Sequence, residues 1–310
     1  MNDKLRILTI GAANMDLVMP LERMPAAGET MISAESPSMT PGGKGANQAT
    51  AVARLGARSV FCASVGADST GDRLRALYTA EGIDCRFLTA SPDHATGTAA
   101  VFCEPGGVNR IVVYPGANNT LTHEQIDDAF SCMPDAVLLQ LELPFDTVLY
   151  AAHAAAARGV PIIMDAAPAD PRLPLDALPG LEIFSPNEIE TEQFSGIRPG
   201  GAESCLQAAM ALTHKVRAKY YVIKMGDRGC FLFDGRMPRY IAAYHTQVVD
   251  TTAAGDSFTA ALAVAYLASE GNIRSACAYA NAAGAVAVSR FGASEATPTA
   301  AEIEAFLRQA

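Results

Sequence analysis

AVLLQLELPFDTVLYAAHAAAARGVPIIMDAAP, residues 136–168, is the stretch whose reading decides the fold. AVLLQLEL (136–143) and VPIIMDAAP (160–168) are near-continuously apolar, and the second runs out into Asp, Ala and Pro. Strands have this composition when helices cover both faces of a parallel sheet, leaving no position for a polar alternate. Between them, Pro144–Arg158 is Ala-rich and reads as a helix. The unit is therefore strand, helix, strand.

The same rhythm continues outward in both directions. LRILTIG (5–11), SVFCASVG (59–66), LEIFSPN (181–187) and YYVIKMG (220–226) read as further buried strands. Ala46–Leu55, Gly71–Glu81, Glu188–Phe194 and Ala202–Val216 read as helices. The alternation predicts an α/β fold, a doubly wound, mostly parallel sheet flanked by helices. Residues 15–40 and 97–115 break it with short strand pairs and Pro/Gly turns. They read either as ordinary surface hairpins or as a small β-sheet lid of the kind that excludes water from a group-transfer site. Past Asp250 the chain is almost all helix, apart from a bend near Phe291–Ser294. The whole of 1–310 reads as one unit carrying these two insertions.

Bulk properties narrow the function. The 310 residues carry 23 Lys+Arg against 33 Asp+Glu, a net charge of -10, which argues against a nucleic-acid binder. MNDKLRILTIGAAN reads as a first buried strand rather than a signal peptide, and no apolar run is long enough to span a membrane. Seven scattered cysteines without a C-x-x-C pair suggest reduced thiols and a cytoplasmic protein. The five histidines lack metal-ligand spacing, and no G-x-S-x-G elbow supports hydrolase chemistry.

Two segments carry chemistry. In Pro41-Gly42-Gly43-Lys44-Gly45-Ala46-Asn47-Gln48 three glycines precede a helix, so backbone can approach a ligand and N–H groups can point at it. The spacing is not that of a Walker loop, and the turn after the first strand lacks G-x-G-x-x-G. The bland alternative is a flexible loop with a helix cap. In Val249-Asp250-Thr251-Thr252-Ala253-Ala254-Gly255-Asp256-Ser257-Phe258 small residues open a long Ala-rich helix. The N–H groups of Ala254, Gly255 and Asp256 would be unsatisfied there and would form an anion pocket. Asp256 beside it is placed to take a proton from an attacking hydroxyl, or simply to offset the helix dipole.

Taken together, GGKGANQATAVARLG and DTTAAGDSFTAALA closely resemble the paired signatures of the ribokinase-like carbohydrate kinases. Asn14-x-Asp16, Pro115-Gly116-Ala117-Asn118, Leu139-Gln140-Leu141-Glu142, Asn187-x-x-Glu190, Gly226-x-x-Gly229 and Asn281–Ala285 match in order and spacing, over almost the whole chain. The resemblance implies ATP-dependent phosphorylation of D-ribose at its 5-hydroxyl, or of another sugar or nucleoside. It implies Asp256 as base, with Ala253, Ala254 and Gly255 in the anion hole. Asn14, Asp16, Gly42, Gly43, Lys44, Asn47 and Glu142 match positions that hold the sugar. Asn187, Lys224, Gly226, Asp227, Gly229, Gly255 and Asn281 match nucleotide positions, and Glu190 would reach Mg2+ through water. Asp250, Thr252, Ala287, Arg290 and Gly292 match a K+ site. The family also implies a homodimer formed through the lid.

Three positions depart from the family pattern. Ala296 lacks a hydroxyl for the K+ site, and whether Ser294, close by, supplies one is left open by the sequence. Lys224 stands where Thr is common, and its ammonium is expected to lie along the surface rather than reach phosphates. Asp165 replaces an Asn and is expected only to cap its strand. The rivals are a silent sugar-binding module on the same fold and, more distantly, a Rossmann oxidoreductase lacking its glycine fingerprint.

Overall fold

Leu8 and Leu139 face one side of a sheet and Ile7 and Leu138 the other, and none of the four is more than 1% exposed. Both faces are covered, which is why the sequence shows apolar runs instead of alternation. The computed structural model describes residues 5–33, 35–105, 108–292 and 294–309. Among these the chain runs β1 (Arg6–Ile10), β2 (Asn14–Pro20), β3 (Ser38–Gly42), α1 (Lys44–Arg54), β4 (Arg58–Gly66), α2 (Ser69–Ala80) and β5 (Leu88–Ser91). Next come β6 (Gly97–Glu104), β7 (Val108–Tyr114), α3 (His123–Ala129), β8 (Ala136–Leu139), α4 (Phe145–Ala157), β9 (Ile162–Asp165) and β10 (Leu181–Ser185). The remainder is α5 (Glu188–Ser195), α6 (Ala202–Thr213), β11 (Ala218–Lys224), β12 (Cys230–Phe233), β13 (Pro238–Ile241), α7 (Ala254–Ala268), α8 (Ile273–Val288) and α9 (Ala300–Leu307).

The large sheet has the order β13-β12-β11-β10-β9-β8-β1-β4-β5 and is parallel from β11 to β5. On one face Ile126, Val148 and Leu212 pack from α3, α4 and α6; on the other Val52, Leu262 and Ala280 pack from α1, α7 and α8. From β1 the order runs to β4 on one side and β8 on the other. This reversal opens a crevice beyond the strands' carboxyl ends, where doubly wound folds take their ligands.

The two segments that broke the rhythm form a second sheet, β3-β2-β6-β7. Its central pair β2/β6 is parallel and both outer pairs are antiparallel. The expected strands end two to four residues early, at Leu139, Asp165 and Ser185, because the next residues turn into the crevice. Three features were not foreseen, the first being the four-residue edge strand β5. The α3 helix is short and polar, and it is started by a Thr122/Gln125 capping box. The β12/β13 hairpin extends the sheet with four-residue antiparallel strands.

Candidate active site

Two helix starts meet in the crevice. At the first, Gly43 takes φ 88° and the α1 N-terminus has no side-chain cap. The Lys44 N–H instead donates to Glu142 Oε2 at 2.7 Å, and the Ala46 N–H to the Ala12 carbonyl at 3.0 Å. At the second, Ala253 is held at φ 55°, a left-handed conformation costly for a residue with a Cβ. That turn lets the Ala254 N–H donate to the Thr251 carbonyl at 3.3 Å. The expectation of three free amides is corrected: the Ala254 N–H already has a partner. The Gly255 and Asp256 N–H groups belong to the first turn of α7, whose donors find no carbonyl within the helix.

Asp256 bridges the two starts. Its side chain is 4% exposed; Oδ2 accepts from Asn47 Nδ2 at 2.9 Å and Oδ1 from Gln48 Nε2 at 3.1 Å. Gln48 is oriented in turn by Gln140, whose Nε2 donates to Gln48 Oε1 at 2.7 Å. Gln48 and Gln140 lie inside the motifs quoted above, yet no role was read for them. Their signal was a pair of polar residues in otherwise apolar, buried surroundings, since α1 buries every residue from 45 to 52.

The residues matched to sugar binding gather on the lid side of Asp256. Asn14 pairs in register with Gly42, and its Oδ1 accepts from Asn118 Nδ2 at 2.8 Å. The Asp16 carboxylate lies directly against Gly42. Among the described residues, Asp16 Oδ1 and Asn47 Oδ1 are buried acceptors with no donor. Burial pushes the Asp16 carboxyl up to about 6. Burial likewise pushes Glu142 up to about 7, against the opposing pull of the Lys44 charge and N–H. Burial disfavours the Lys44 ammonium, but Asp256, Asp165, Glu142 and Glu190 outweigh that and hold it above the ordinary lysine range.

Two cavities open on the other side. One, of about 310 Å³, is mostly apolar and includes Tyr244, Val248, Phe258, Asn281 and Gly229 in its wall. Asn281 Nδ2 is committed to the Ile241 and Ala242 carbonyls, so it shapes that wall. The second, of about 380 Å³, is lined by Lys44, Asp165, Asn187, Glu190 and Asp256. Lys224, Gly226, Thr251 and Gly255 border both. Asn187 caps α5 in a capping box: Glu190 N donates to Asn187 Oδ1 at 2.9 Å, and Glu190 Oε2 accepts from Asn187 N at 2.7 Å. Glu190 is 6% exposed, and burial raises its carboxyl above the usual range.

The expectations for Lys224 and Asp165 are corrected. Strands β9 and β11 both pair with β10, which brings their ends together across 59 residues of chain. Lys224 Nζ donates to Asp165 Oδ1 at 2.8 Å, with side chains 11% and 1% exposed. Neither a surface lysine nor a bare strand cap describes them.

Of the positions matched to potassium, Asp250, Thr252 and Gly292 converge. Asp250 accepts from Thr252 N at 2.9 Å and from Gly292 N at 3.1 Å. The Ala287 carbonyl accepts from Arg290 N, and the Arg290 side chain pairs with Glu302. Ser294 directs its hydroxyl to the Pro41 carbonyl at 3.5 Å, so a role for it in replacing the hydroxyl missing at Ala296 finds no support. No group of three His, Cys, Asp or Glu suited to a metal occurs among the described residues.

A helix cap does not require a carboxylate aimed away from its own helix at two amides of another. An oriented carboxylate beside an uncapped helix start is an arrangement that kinases acting on small molecules can use, and the comparisons place the chain among them. The chain belongs to the pfkB family of carbohydrate kinases, which residues 4–300 match. It is 35% identical to a ribokinase of Bacillus subtilis over 303 residues, 97% of this chain and 99% of the relative. A ribokinase of Staphylococcus aureus is 32% identical over 300 residues, 96% and 98% of the two chains. The structure of Arabidopsis thaliana ribokinase complexed with ribose and ATP superposes with a TM-score of 0.86 at 31% identity, covering 98% of this chain and 99% of that one.

Proposed function

We propose that this protein phosphorylates D-ribose at its 5-hydroxyl, using ATP. The observation that carries the sugar side is the pair of buried acceptors without donors, Asp16 Oδ1 and Asn47 Oδ1, beside the Asp256 carboxylate. Buried acceptors of this kind select a ligand that brings hydroxyls, because leaving them unmatched costs about 1–3 kcal/mol each.

In the reaction, the ribose 5-oxygen forms a bond to the γ-phosphorus of ATP while its proton passes to Asp256. The bond from that phosphorus to the β,γ-bridging oxygen breaks, and its electron pair leaves on ADP. The Gly255 and Asp256 N–H groups face the charge that develops on the transferring group. Glu190 fits a hydrated Mg2+: both its oxygens accept one hydrogen bond each, leaving lone pairs for metal-bound water. When bound, the ion neutralises phosphate charge. By the resemblance, Asp250, Thr252 and Gly292, with the Ala287 and Arg290 carbonyls, would hold K+, which the meeting of Thr252 and Gly292 at the Asp250 carboxylate supports, and the free cysteines fit a cytoplasmic setting.

The test is ADP release across a panel of pentoses, hexoses and nucleosides, in potassium and in tetramethylammonium buffer. Ribose should give the highest kcat/KM and ribose 5-phosphate as product, with potassium faster. Preference for another acceptor overturns the substrate, and equal rates in the two buffers remove the potassium site.

Ribose binding should depend on pH. Hydroxyl donors favour the ionised forms of Asp16 and Glu142, whose carboxyls start near 6 and near 7. By linkage, binding releases protons between about pH 6 and 7 and weakens as pH falls from 8 to 5.5, by up to about a hundredfold where both carboxylates must be ionised. Calorimetry in two buffers of different ionisation enthalpy reads both quantities. A flat affinity with no proton release contradicts the placement of these carboxylates against the sugar.

The chain also forms a homodimer through its small sheet. Ile111, Val112, Val113 and Tyr114 on the edge strand β7 are each more than half exposed, an edge that invites a partner strand. Light scattering at micromolar concentration should give twice the chain mass; the mass of a single chain refutes the dimer.

A further inference from the structure

The Asp165–Lys224 pair stands where the two cavities meet, Lys224 bordering both and Asp165 one; Lys224 matches a nucleotide position but was expected to lie along the surface, and Asp165 was expected only to cap its strand. We propose that Lys224 contacts the transferring phosphoryl group and that Asp165 is the residue positioning it. The inference rests on the kinase reading above and adds to it a second cation, beside Lys44, in the wall of the cavity where the phosphates would lie.

Three observations carry it. Lys224 borders both cavities, and its Nζ lies 3.8 Å from where a Cβ on Gly255 would stand, beside the amides of the α7 start. An ammonium has three N–H donors. Asp165 Oδ1 takes one at 2.8 Å and Thr259 Oγ1 a second at 3.5 Å, which leaves the third for the cavity. Finally, the pair is tied to Asp256 through one amide. Gln48 Nε2 donates to Asp165 Oδ2 at 3.0 Å and to Asp256 Oδ1 at 3.1 Å. Thr259 donates to the same Asp165 oxygen at 3.1 Å.

Gln48 is therefore a spacer. It fixes the proton acceptor on one side and, through Asp165, the ammonium on the other. A buried ion pair is weak support for stability, because desolvating two charges offsets most of their attraction. A pair at a cavity wall with an uncommitted N–H has a different use. It places positive charge where triphosphate arrives, and the carboxylate holds the lysine there beforehand.

The experiment compares Lys224→Met, Asp165→Asn, the double variant and Lys224→Arg. Removing one donor to a developing anion costs about 10²–10³ in kcat, and Lys224→Met should lose about that much, with a raised KM for ATP. Its ribose affinity, measured by calorimetry without nucleotide, should not change. Asp165→Asn should lose less kcat but lower the unfolding midpoint, because it leaves an unpaired buried ammonium. The double variant discriminates. Its midpoint should return to that of the wild type, since no lone charge remains, while its kcat stays as low as that of Lys224→Met. Lys224→Arg, which keeps the charge, should recover most of the rate.

A double variant that regains wild-type kcat shows the pair to be structural only and overturns the assignment, as does a Lys224→Met enzyme of undiminished rate. Wild-type turnover of ribose is the control. Its absence sinks the ribose reading, whereas its presence beside an active double variant sinks only the role of Lys224.

Discussion

Asp256→Asn is expected to fold, to bind D-ribose at close to wild-type affinity, and to turn over about 10²–10⁴-fold more slowly. The carboxylate accepts two amide hydrogens, from Asn47 Nδ2 and Gln48 Nε2. An asparagine offers one oxygen and one NH₂, so one of these donors must give way. Gln48 cannot turn, because its oxygen is taken by Gln140. Asn47 can, because its Oδ1 has no donor among the described residues and would accept from the new NH₂ after an amide flip. The flip turns the Asn47 NH₂ toward the sugar, where a hydroxyl can accept from it instead of donating to Oδ1, so binding survives the repair and a lost rate, read at saturating ribose, reports chemistry. Asp256→Ala would instead orphan both amides, at about 1–3 kcal/mol each, and mix the two effects. ADP release gives kcat and calorimetry gives ribose affinity. Near-normal turnover in Asp256→Asn would remove the base and with it the mechanism.

Gly45→Ala should damage the protein by an independent route. A Cβ there would lie 2.5 Å from the Gly11 carbonyl carbon and 2.7 Å from Gly11 Cα and Ala12 N. All three are backbone atoms at the end of β1, so no side chain can move aside. The start of α1 must retreat from β1, breaking the bond from Ala46 N–H to the Ala12 carbonyl and carrying Asn47 and Gln48 away from Asp256. Overpacking of this kind costs about 1–3 kcal/mol, and a displacement of about 1 Å at a catalytic group costs about 10² in rate. Denaturant unfolding should show a lower midpoint with an unchanged slope, and kcat should fall by about that factor. A variant with the midpoint and rate of the wild type would mean that β1 and α1 are not in contact as described.

The large sheet was legible because its strands are buried on both faces, and the runs at 7–10, 136–139 and 221–223 show it directly. Asp256 and its meeting with Asn47 were legible as well, since each sits in a motif whose glycines announce close backbone approach. The Asp165–Lys224 pair was not. Each residue, judged alone, has a bland explanation, and the strand order that joins them is a long-range property. The Ala254 amide was misjudged for a local reason. Composition does not reveal that Ala253 adopts φ 55°, and only that turn brings the Thr251 carbonyl within reach. The α3 helix and the β12/β13 hairpin escaped notice because four to seven residues are too few to display a period.

The capping box at Asn187 and Glu190 has one further consequence. The bonds that begin α5 are the same bonds that aim the Glu190 carboxylate, so the group is immobilised when the chain folds, not when a cation and nucleotide arrive. The entropy of ordering that side chain is spent once, during folding, and is not charged again against each binding event.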